Sequence, residues 1–122
     1  MRDFQTVQLR VAQAGAKIDA AGLVLRTDCV DAERIAQEGR APTLEEKLRF
    51  KRNVAWAMEQ CTEAVDSLHA LAGANGIYDR YPIQRLFRDQ HALSAHIGFS
   101  WDAQGGPWAL VAMGGEFSSP TM

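Results

Sequence analysis

Apolar residues recur at Phe4, Val7, Val11, Ala14, Ile18, Ala21 and Leu25. The steps alternate three and four, the spacing of one helix face. Gln5, Gln8, Arg10, Gln13, Lys17 and Asp19 lie between them. The pattern predicts a helix of about six turns. Gly15 and Gly22 weaken it locally, each by about 1 kcal/mol against alanine. Over residues 27–39 the period is less regular. Asp28 is placed to cap a helical continuation through Val30, Ile35 and Ala36. Gly39 followed by Arg40-Ala41-Pro42 reads as a stop and a turn.

A second long helix opens at Thr43-Leu44-Glu45-Glu46, a capping box. Its apolar stripe is Leu44, Leu48, Val54, Met58, Cys61, Val65, Leu68 and Ala72, interrupted by Lys51. Gly73 and Gly76 offer stops near Asn75. Tyr81-Pro82 opens a third helix, which the pattern carries over residues 83–102. Gly105-Gly106-Pro107 is expected to end it. A short helix over 108–113 follows, and residues 117–122 read as an irregular tail after a helical domain over 1–116. No period-two run of β-branched residues competes. The predicted fold class is all-α, an antiparallel helix bundle with short connections.

Composition narrows the class further. A chain of 122 residues is one domain's worth. Its 47% hydrophobic content excludes a disordered tail. The net charge of −2 lacks the basic surplus of a nucleic-acid binder. No stretch approaches the roughly 20 apolar residues of a membrane span. Met1-Arg2-Asp3-Phe4-Gln5 has no apolar run of the secretory kind. Cys29 and Cys61 lack the paired spacing of a zinc site. These features lead us to expect a cytoplasmic protein with reduced thiols and no membrane contact.

The third helix carries the candidate chemistry: Arg85-Leu86-Phe87-Arg88-Asp89-Gln90-His91-Ala92-Leu93-Ser94-Ala95-His96. At about 100° per residue, Arg85, Arg88, Asp89, Ala92 and His96 share one side, and His91 points away. The bland interpretation is an i,i+4 ion pair between Arg85 and Asp89, with His96 as an ordinary histidine. The functional one has guanidinium and imidazole meeting an anionic or oxygen-rich ligand. His91 and His96 are turned roughly 140° apart, so no metal site is expected. Gly73-Ala74-Asn75-Gly76 follows a helix, which excludes a dinucleotide fingerprint.

The run Ala72-Gly73-Ala74-Asn75-Gly76-Ile77-Tyr78, followed by Pro82-Ile83-Gln84-Arg85-Leu86-Phe87-Arg88-Asp89, resembles the C-terminal helical domain of acyl-CoA dehydrogenase-fold flavoproteins. Within that fold, Arg88-Asp89-Gln90-His91-Ala92-Leu93-Ser94-Ala95-His96 and then Ser100-Trp101-Asp102 resemble the oxygenase components of two-component flavin-dependent monooxygenases. These include the p-hydroxyphenylacetate and secosteroid hydroxylase types. Two departures from the dehydrogenases favour this branch. Their catalytic glutamate falls on Ile97, which cannot abstract a proton. Their adenosine-binding glutamine falls on Ala70.

The resemblance implies an oxygenase that uses reduced FMN or FAD, and no metal, to hydroxylate a small, aromatic substrate. A separate flavin reductase would supply the flavin. It assigns His96 the catalytic position, gives Arg85 and Arg88 to the cofactor or to helix and subunit order, and leaves His91 structural or at the interface. It also implies a homo-oligomeric parent, a tetramer, with the bundle's first helix and a β domain upstream. The chain alone would then be inactive, and would expose an apolar groove that favours self-association. An acyl-CoA dehydrogenase-like domain and a non-catalytic helical oligomerisation domain stand as alternatives.

Overall fold

A computed structural model describes residues 3–119. Four α-helices follow one another: α1 (Gln5–Gln37), α2 (Leu44–Ala72), α3 (Pro82–Ser94) and α4 (Trp101–Ala112). Short 3-10 turns occupy Gly73–Ile77, after α2, and Ile97–Phe99, between α3 and α4. Among the described residues there is no strand.

The first expected helix and its uncertain continuation are one rod of 33 residues. Asp28 caps nothing. The Thr27 hydroxyl turns back to the Leu23 carbonyl at 2.9 Å, which leaves the helical backbone intact. The residues of α1 buried on α2 are Ala14, Ala21, Asp28 and Ile35, a strict seven-residue spacing. Partners across the two helices run in opposite order: Lys17 with Glu63, Asp28 with Asn53, Asp31 with Arg49. The pair is therefore antiparallel, as its short connection requires.

The α2 start is built as its sequence predicts. Thr43 Oγ1 accepts from the Glu46 amide at 3.2 Å, and Glu46 Oε2 accepts from the Thr43 amide at 2.8 Å. Leu48 of the expected stripe is buried, but the other buried α2 residues are Ala55, Ala57 and Ala64. This helix has neighbours on two sides, so burial spreads beyond one stripe. Its small residues let those neighbours approach closely. Gly73, at φ 54, ends the helix.

The third expected helix is broken. α3 stops at Ser94, and α4 runs straight through Gly105-Gly106-Pro107, which was expected to stop a helix. Gly105 is buried beneath the Trp101 indole, where an added Cβ would sit 3.1 Å from Cε2. Trp108, one turn on, packs its ring 3.9 Å from the Arg52 guanidinium of α2. Tertiary packing thus overrides the weak propensity of the triplet. α3 lies antiparallel along the later half of α2, pairing Phe87 with His69 and His91 with Asp66. α4 covers the earlier half, near Arg52 and Leu48. The molecule is three rods, and the third is interrupted midway along α2. Of the expected tail, residues 117–119 carry no regular element, and residues 120–122 lie outside the described residues.

Candidate active site at the break between α3 and α4

The break holds the candidate histidine, His96. α3 is fixed first. Gln90 Nε2 donates to Thr62 Oγ1 at 3.0 Å and contacts the Met58 sulfur at 2.9 Å. His91 Nε2 lies 2.7 Å from Asp66 Oδ1. Phe87 stacks on His69 with centroids 4.2 Å apart, and His69 Nε2 donates to the Gly76 carbonyl at 3.1 Å. A Cβ at Gly76 would lie 2.8 Å from that nitrogen, so only glycine permits the approach. His91 is a structural tie between α2 and α3.

Ser94 returns its hydroxyl to the His91 carbonyl at 3.1 Å, and the chain then leaves the helix. His96 is extended, at φ −73 and ψ 133, and caps the following 3-10 turn. Its Nδ1 accepts the Gly98 amide at 3.0 Å. The imidazole lies 5.5 Å from the Phe99 ring, tilted by 54°. Gln104 Nε2 of α4 donates to the Ile97 carbonyl at 3.1 Å and pins the connection.

This connection forms one wall of an open cleft of about 540 Å³, through Ile97, Phe99 and Ser100. Met58, Glu59, Thr62 and Glu63 of α2 form the other. His96 itself is exposed and outside this lining. A smaller apolar cavity of about 290 Å³ shares Met58 and Phe99 and reaches Cys61. Burial pushes the Cys61 thiol up, which suits packing and not nucleophilic attack.

The expected grouping on one helical side does not form. Arg85, Arg88, Asp89 and Ala92 lie on α3, but His96 is beyond its end. Arg85 starts about 14 Å along the axis from Ser94. Arg85 Nε and Asp89 Oδ2 are 3.9 Å apart and well exposed, a loose pair of little energetic weight. Among the described residues, Arg88 makes no hydrogen bond or ion pair. The Arg88 guanidinium is thus exposed and unpaired among the described residues, and that of Arg85 is only loosely held by Asp89. The cleft residues Glu59, Thr62 and Glu63 carried no motif in sequence. Nor did Gly98, though His96-x-Gly98 has the spacing of a side-chain cap.

A profile described as the acyl-CoA dehydrogenase C-terminal domain matches residues 1–101. The chain belongs to this family. It is 37% identical over 109 residues to the oxygenase component of an FADH(2)-dependent resorcinol hydroxylase from Rhizobium sp., covering 86% of this chain and 27% of that protein. It is 33% identical over 114 residues to the oxygenase component of p-hydroxyphenylacetate 3-hydroxylase from Acinetobacter baumannii, covering 93% of this chain and 27% of that one. The chain thus spans little more than a quarter of the length of these relatives. The crystal structure of 3-HSA hydroxylase from Rhodococcus sp. superimposes with a TM-score of 0.90 at 24% identity, over 99% of this chain and 31% of that one. The fold is therefore shared with a part of that chain. No helix among the described residues is long and apolar enough to cross a membrane.

Proposed function

We propose that the chain is the C-terminal helical domain of a flavin-dependent monooxygenase oxygenase component. It acts in the cytoplasm within a homo-oligomer, a tetramer, and receives flavin from a separate reductase. The observation that carries this reading is His96. It stands where the oxygenase resemblance puts its catalytic histidine, on an exposed break with one ring nitrogen held and the other available. Ile97 beside it has no titratable group, which speaks against proton abstraction from an acyl thioester.

The donor set suits a reduced FMN or FAD. Arg88, with no ion pair among the described residues, and Arg85, held only loosely by Asp89, fit a phosphate through their fork geometry. A reduced flavin, when bound, would supply two electrons to activate O2, so that one oxygen atom passes to a small aromatic substrate and the other leaves as water. The chain's own residues then orient and protect. His96 Nε2–H donates to an oxygen at the reacting centre or passes it a proton. Ile97 and Phe99 present apolar surface in the adjoining cleft, which suits an aromatic ring.

The test uses a chimera in which this chain replaces the matched C-terminal quarter of the Acinetobacter baumannii relative. Chain and chimera are titrated anaerobically with reduced FMN and FAD, and oxygen is then admitted with that relative's substrate. We expect the chimera to bind flavin and form product, and the chain alone to do neither. His96→Ala should lower product formation by about 10²-fold or more. A folded chimera that binds no reduced flavin would overturn the reading.

A further inference from the structure

We infer that Gly98 is the positioning residue of His96 and holds its imidazole as an Nε2–H donor. A backbone amide can only donate, so a ring nitrogen that receives it must carry its lone pair. The Gly98 amide lies 3.0 Å from His96 Nδ1. The neutral ring must therefore carry its proton on Nε2, the nitrogen turned away from the turn. No other bond of the turn uses this amide. The Phe99 amide donates to the His96 carbonyl at 2.8 Å, and the Ser100 amide to the Ile97 carbonyl at 3.3 Å.

The side chain of residue 98 matters as much as its amide. A Cβ there would lie 3.0 Å from His96 Nδ1 and 3.3 Å from Cε1. The ring lies close over the glycine, and an added Cβ obliges it to give by a few tenths of an ångström. The Phe99 ring lies nearby, with centroids 5.5 Å apart. One glycine thus sets both which nitrogen bears the proton and where that nitrogen points. A donor aimed in advance needs no reorganisation when the reacting group arrives. This use of the donor rests on the oxygenase reading; the tautomer itself does not.

The experiment is long-range 1H–15N NMR of the 15N-labelled chain in alkaline buffer, without flavin. We expect the two ring nitrogens of His96 to differ in shift by more than those of free histidine in the same buffer. Gly98→Pro removes the donor and should bring the difference back to the free value. Gly98→Ala keeps the donor but crowds the ring, and should reduce it. In the chimera, Gly98→Pro should lower the product formed per flavin oxidised. A wild-type His96 with the free-histidine difference overturns the inference. So does a Gly98→Pro variant with unaltered shifts and native circular dichroism. A locked tautomer in a chimera that binds no flavin overturns the oxygenase reading alone.

Discussion

Asp28 shows how much a single side chain depends on its neighbours. Its sequence context, after a threonine and before a less regular stretch, suits a helix cap. In the fold it is 8% exposed, and Oδ1 accepts from Asn53 Nδ2 at 2.9 Å. Its other oxygen is buried without a partner among the described residues. Burial raises its pKa above the ordinary 3.8, against the opposing Asn53 bond and the nearby Arg49 charge. The folded chain then holds this proton to higher pH than the unfolded chain does. Stability from this group therefore falls as pH rises above 3.8 through the raised value. Asp28→Asn keeps the oxygen that Asn53 uses and removes the titration. Urea midpoints measured from about pH 4 to about pH 7 should decline less in the variant than in the wild type. An unchanged slope would show that Asp28 ionises freely. Only the packed helix pair reveals this, because no local pattern marks Asp28 as facing Asn53, far along the chain. His96 differs: its identity and its spacing to Gly98 are local, and both are readable.

The start of α2 shows the opposite case. Thr43 and Glu46 form the reciprocal box that their spacing predicts. What the spacing does not reveal is Arg40, whose two terminal nitrogens each lie 2.8 Å from a Glu46 oxygen. This fork, then the Thr43 amide, lowers Glu46 from 4.5 to about 2. A depressed carboxylate stabilises the fold above its unfolded pKa and loses that contribution as pH falls. Stability should therefore drop as pH falls from 4.5 towards 2, and Glu46→Gln should flatten that drop. Thr43→Ala should cost about 1 kcal/mol by urea unfolding. The later helices mislead a local reading. A Gly-Gly-Pro triplet is a poor helix segment, yet α4 carries it, with Trp101 folded over Gly105 and Trp108 packed against Arg52 of α2. The predicted long third helix breaks where His96 takes the Gly98 amide and the Ser94 hydroxyl takes a carbonyl. These side-chain bonds compete with the backbone for the same partners.

At the scale of the whole molecule, α1 packs on α2 through one face only. Leu9, Leu23 and Val30, on its opposite face, are each 60–64% exposed. Phe4, Val11 and Ile18 form a second exposed line. A helix apolar on more than one face is built to be covered on more than one face. Sedimentation of the chain alone should therefore show self-association at micromolar concentration. Leu23→Glu should shift it towards monomer. A clean monomer would mean that these residues are simply tolerated in solvent. The helical class, the α2 cap, the family and the candidate catalytic histidine are all legible in the order of residues. Each of these rests on neighbours within a turn or two, or on a motif read in order. The length of α1, the burial of Asp28, the passage of α4 through its glycines and the position of the break over the middle of α2 emerge only in the packed molecule. Those depend on which distant residues meet, and contact between distant residues has no local period to announce it.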